Sequence, residues 1–130
     1  MTRIALLLAV LAAGCAAGAH SSSLDAARET ARREGKRLCL VFGAKGDDQC
    51  ARFERETLED PAVAPALSKF VVVRIDAFGT AGRDATFAKL GFAGVPAVAF
   101  TTADLEVLDS RQYGPSPDEF VRVAQGVLDR

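Results

Sequence analysis

Leu38-Cys39-Leu40-Val41-Phe42 runs directly into Gly43-Ala44-Lys45-Gly46-Asp47-Asp48-Gln49-Cys50, and the character of the chain changes between the two halves. The first five residues are all apolar. A short continuous apolar run closed by a glycine predicts a strand buried on both faces. Gly43 to Asp48 predicts a loop, because glycine and aspartate both favour turn conformations. From Gln49 to Leu58 the spacing becomes helical, with Phe53 as the main apolar side chain. Asp60-Pro61 stops that helix and opens another turn through Val63 and Leu67.

The flanking sequence extends the same alternation. Leu24 to Arg33 predicts an amphipathic helix with Leu24, Ala27 and Ala31 on one side, and Gly35 suits its end. Phe70-Val71-Val72-Val73 with Ile75 predicts a second buried strand. Arg83 to Leu90 predicts a short helix with Phe87 and Leu90 inward. Ala97-Val98-Ala99-Phe100 and Glu106-Val107-Leu108-Asp109 predict a third and fourth strand, close enough to form a hairpin. Ser116-Pro117-Asp118-Glu119 is a helix start, with Ser116 as cap, Pro117 in the first turn and Glu119 closing a capping box. The last helix buries Phe120, Val123, Ala124, Val127 and Leu128.

The order is α-β-α-β-α-β-β-α. Two strands joined through a helix run parallel with a right-handed crossover, whereas a hairpin runs antiparallel. The expected fold class is therefore α/β, a mixed four-stranded sheet with helices on both faces.

Composition excludes several functions. The 130 residues suit one domain. Charged residues make up 25% and apolar ones 49%, a balance that folds rather than staying disordered. Sixteen Lys and Arg against seventeen Asp and Glu leave a formal net charge of −1, which gives no basic footprint for nucleic acid. His20 is the only histidine, and no His or Cys group has ligand spacing, so neither a metal nor another cofactor is expected.

The N-terminus predicts export. Arg3 precedes the unbroken apolar run Ile4 to Ala13, too short for a membrane span but suited to a signal peptide. Leu11-Ala12-Ala13-Gly14-Cys15 resembles the lipobox of bacterial lipoproteins, with Ala12 where leucine is usual. That resemblance implies residues 1–14 as signal, Cys15 as the lipidated residue, 15–23 as a tether and 24–130 as the domain. It implies a lipid-anchored protein facing the periplasm, at the outer membrane rather than the inner because Ala16 and not Asp follows the cysteine. The alternative is ordinary cleavage near Ala16-Ala17-Gly18 and secretion.

Gly35 to Ala44, Phe53 to Val63 and Gly94-Val95-Pro96 together resemble the thioredoxin-like family. Phe53 to Val63 looks like the helix and Asp-Pro turn of the subgroup that includes the C-terminal domain of the thiol:disulfide interchange protein DsbD. The family likeness spans about Leu24 to Leu128. It implies a thioredoxin-like fold, with Pro96 as the cis-proline that shapes a groove and Val95 as the residue whose backbone pairs with an extended peptide.

The sequence departs from that pattern where the family does its chemistry. A gapless alignment on Ala44 and Cys50 puts Gly46 at the tryptophan position and Asp47 at the nucleophilic cysteine, and leaves only the resolving cysteine, Cys50. The acid that the family often buries below the site is Val41 here. Exchange needs one thiolate to attack and a second thiol to resolve, so an Asp-x-x-Cys site does not support the dithiol reaction. A carboxylate at a helix N-terminus is favoured by the same field that would activate a thiol there. Asp47 then keeps the cap, and Asp48 beside it adds negative charge that raises the pKa of Cys50.

Two functional classes follow. One is a protein- or peptide-binding, or accessory redox, module built on Val95, Pro96, Gly46 and Asp48, its partner an unidentified envelope protein or peptide. The other is a monothiol exchange protein acting through Cys50. A Cys39–Cys50 bridge is a further possibility, although the strand spacing sets Cys39 well below the helix start.

Overall fold

Each central strand carries apolar side chains on both faces, so each has a layer to bury against on either side. A computed structural model describes residues 24–79 and 87–130. Its elements are α1 (Leu24–Glu34), β1 (Arg37–Gly43), α2 (Asp48–Phe53), α3 (Ala64–Leu67), β2 (Phe70–Asp76), β3 (Ala97–Thr101), β4 (Val107–Gln112) and α4 (Pro117–Leu128). The sheet order is β2-β1-β3-β4. β1 and β2 are parallel, and β3 is antiparallel to both β1 and β4. This is the mixed four-stranded sheet that the sequence predicts.

Alternation along β1 divides the core. Leu38, Leu40 and Phe42 face α1, where Ala27 and Ala31 are small enough for close approach. Cys39 and Val41 face α2, α3 and α4, beside Phe53, Val63, Phe100, Phe120 and Val127. Phe100 packs between Phe70 and Phe120 with tilted rings, at ring-centroid distances of 5.1 and 5.6 Å. Such pairs add about 0.5–1.5 kcal/mol each beyond the area they bury.

Several boundaries differ from the sequence reading. The helix expected from Gln49 to Leu58 is two pieces: α2 ends at Phe53 and a wider π-type turn covers Glu54–Leu58. That turn places Thr57 inside, where its hydroxyl donates to Pro115 O at 2.8 Å. β4 runs to Gln112 instead of Asp109, because Ser110, Arg111 and Gln112 pair with β3 although their side chains carry no apolar pattern. The first part of the expected Arg83–Leu90 helix lies outside the described residues, and Phe87 to Leu90 form turns. Phe87 and Leu90 still pack on the α1-side core. In α4, Leu128 is half-buried rather than buried. Ser116 caps α4 by accepting from Glu119 N at 3.3 Å, while the Glu119 carboxylate reaches Arg111 at 3.4 Å.

Cys39 is fully buried, and burial pushes its thiol up to about 12. An acid whose pKa is raised on folding stabilises the protein below its unfolded value of about 9, and that stability is lost as pH climbs towards 12. The shift corresponds to about 4 kcal/mol across that window. Chemical denaturation midpoints of the native chain are thus expected to fall more steeply from pH 9 to 12 than those of Cys39→Ala. Parallel slopes would show that Cys39 ionises without unfolding the core.

Candidate functional site

The end of β1 sets up the site. Ala77 N donates to Gly43 O at 2.9 Å, which ties the ends of β1 and β2 together. Asp47 N donates to Ala44 O at 3.2 Å, closing a tight turn across Lys45 and Gly46. Gly46 has a φ of +80°, the left-handed region that glycine enters without penalty. The turn leaves Asp47 extended (φ −80°, ψ 125°) at the N-cap of α2. Its carboxylate Oδ1 accepts from Cys50 N at 2.9 Å.

This is ordinary capping chemistry, in which an aspartate satisfies an amide that the helix leaves unpaired. The bond from the Cys50 amide, and then that from its thiol, hold the Asp47 carboxyl below its usual range. Cys50 shifts the other way. Partial burial raises its thiol pKa, the Ala44 amide opposes that, and the Asp47 carboxylate adds to the rise. Cys50 is half-buried, and its Sγ lies 3.6 Å from where a Cβ on Gly43 would stand. Cys39 and Cys50 are both free thiols, so the bridge between them is absent.

The second wall is the loop before β3. The Val95–Pro96 peptide bond is cis; Pro96 is buried and Val95 half-buried. Pro96 O accepts from Tyr113 N at 2.7 Å. With its amide oxygen turned to the loop, Gln112 accepts from Ala93 N at 2.9 Å and Gly94 N at 3.2 Å. Gly114 (φ +65°) lies directly against Phe53 and Pro96. Tyr113 is 64% exposed beside Gly94.

Between these walls and the end of β2 lies a cleft of about 580 Å³. Gly46, Asp47, Asp48, Cys50 and Pro96 all line it, so the fold brings five of the residues singled out in the sequence to one place. Val95 is next to the cleft but does not line it. Cys15 lies outside the described residues. Arg74, paired in register with Val41, also reaches the cleft and makes a two-point ion pair with Glu54, with Nη2 to Oε2 at 3.0 Å. The sequence reading missed Arg74, Glu54, Tyr113 and Gly114. Gly114 before Pro115 was the available turn signal, whereas nothing local marks Glu54 and Arg74 as partners. Among the described residues, no group of three or more His, Cys, Asp or Glu is placed to hold a metal ion. No described helix is long and apolar enough to cross a membrane.

A family model described as thioredoxin-like matches residues 19–103. None of the curated proteins matches the sequence. Among solved structures, a thioredoxin from Thermus thermophilus is 20% identical with a TM-score of 0.69, over 79% of this chain and 82% of that one. The oxidised DsbD C-terminal domain of Neisseria meningitidis is 23% identical with a TM-score of 0.64, over 83% of this chain and 98% of that one. A DsbH oxidoreductase is 18% identical with a TM-score of 0.68, over 88% of this chain and 87% of that one. At these identities the likeness is one of fold.

Proposed function

The chain belongs to the thioredoxin-like family, and from that premise we propose that it is an envelope binding module that no longer performs dithiol exchange. It holds an extended segment of a protein partner beside Val95 and Pro96. The observation that carries this reading is the cap: Asp47 stands where the resemblance puts the attacking cysteine, and its carboxylate is committed to Cys50 N at 2.9 Å. A carboxylate there cannot open a disulfide. The cleft between the β1–α2 turn and Pro96 remains open for a ligand. Main-chain pairing with an extended peptide needs no cysteine. The export signal and Cys15 support a lipid anchor on the periplasmic side, at the outer membrane, with plain secretion as the alternative.

The test is an NMR titration of the isotope-labelled chain with unstructured peptides. The amides of Val95 and of residues 44–50 are expected to shift, while the protein mass stays unchanged. A titration that moves neither group of amides would remove the binding reading.

Partial exposure of Cys50, with the Ala44 amide aimed at its sulfur, favours a second reading as a monothiol. Alkylation of Cys50 against pH separates the two. Because burial and Asp47 both disfavour the thiolate, the labelling midpoint is expected above the free-thiol value of about 8.5, and Asp47→Asn is expected to lower it. A midpoint well below that value in the native chain would select the monothiol.

A further inference from the structure

We propose that the cleft beside Cys50 seats a lysine or arginine side chain of the bound partner segment. This rests on the peptide-binding reading and adds the chemistry of the residue it selects. Val41, Ala44, Ala51, Ile75 and Pro96 give the cleft apolar walls. Gly46 adds no side chain, and nothing lies within 4 Å of where its Cβ would be. The resulting space of about 580 Å³ accommodates a long side chain.

Charge decides what tip that side chain carries. Arg74 is matched by Glu54. Among the described residues, the other charged ones lining the cleft are Asp47, Asp48 and Asp76 against Lys45. Asp47 accepts from Cys50 N, and Asp76 Oδ1 accepts from Phe78 N at 3.0 Å. A carboxylate has about four acceptor sites, so both retain capacity for a cation. A lysine or arginine lays an aliphatic stem along apolar surface and keeps its charge at the wet end. An acidic side chain in the same place would face three carboxylates.

The experiment uses the mature chain and fluorescent peptides identical except at one central residue: lysine, its uncharged isostere norleucine, or glutamate. The lysine peptide is expected to bind roughly fivefold to tenfold more tightly than the norleucine peptide. That preference is expected to shrink as salt rises from about 0.05 M to about 0.5 M. It is also expected to fall to about twofold in the Asp48→Asn/Asp76→Asn double variant, which leaves Asp47 as the one carboxylate of the three and in which the side-chain amide oxygen at position 76 still accepts from Phe78 N. Asp48→Asn alone, at an exposed position, is expected to lose part of it and guards against a misfolded double variant. Equal binding of all three peptides, with the Val95 amide still shifting, would overturn this inference and leave the binding module intact. A lysine preference that keeps its full size in the double variant would overturn it too. Failure of every peptide to bind would overturn both.

Discussion

Asp47→Cys is expected to form a disulfide with Cys50 on mild oxidation, visible as the loss of two hydrogens in the intact mass and of two free thiols. The geometry supports it. Asp47 is the N-cap and Cys50 lies three residues on, with the Asp47 side chain already reaching the Cys50 amide at 2.9 Å. A cysteine at a helix N-terminus also gains thiolate character from the amides and dipole that now hold the carboxylate. The native chain is expected to show no turnover in insulin reduction with a dithiol regenerating system, and the variant to gain it. Stability should divide with redox state. The reduced variant loses the cap, at a cost of about 1 kcal/mol. In the oxidised variant, closing so short a loop returns about 2 kcal/mol. Thermal unfolding with and without reductant measures the difference. Absence of the bridge would mean that positions 47 and 50 are not the counterparts of the family's cysteine pair, and insulin turnover by the native chain would refute the loss of dithiol chemistry.

Gly114→Ala is expected to cost about 2–5 kcal/mol, a fall in Tm of about 10–30 °C for a domain of this size. Two effects combine. Gly114 has a φ of +65°, where any side chain is strained. A Cβ there would stand 2.8 Å from Phe53 Cδ2 and 3.1 Å from Pro96 Cγ. Phe53 belongs to the core under α2, and Pro96 forms one wall of the cleft, so neither gives way freely. The substitution therefore wedges α2 from the Pro96 loop and should alter the NMR amides of both. Gly126, in α4 with open space around its Cβ position, is the control: Gly126→Ala is expected to leave Tm unchanged or raise it slightly. If Gly114→Ala melts like the native chain, the contact between α2 and the Pro96 loop is looser than these distances describe.

What the sequence settled by itself is local. Runs such as Leu38 to Phe42 and Phe70 to Val73 have only one good solution, a strand covered on both sides, and the structure buries all nine of those residues. Ser116 and Pro117 mark the start of α4 because capping and a fixed φ are properties of single residues. Asp47 comes to the head of α2 only through the family resemblance, which aligns it with the cysteine at that helix start, and the structure shows it capping. The tertiary structure decided what depends on residues far apart in the chain. β4 reaches Gln112 only because β3 is beside it to pair with. The π-type turn at Glu54–Leu58 turns Thr57 inward, where it bonds to Pro115. Glu54 meets Arg74, Gly114 meets Phe53 and Pro96, and the cleft exists only where the β1–α2 turn, the end of β2 and the Pro96 loop converge. Backbone propensity and apolar spacing act within a few residues and can be read in order along the chain. A cavity and its charge balance are properties of surfaces that meet only once the sheet has formed.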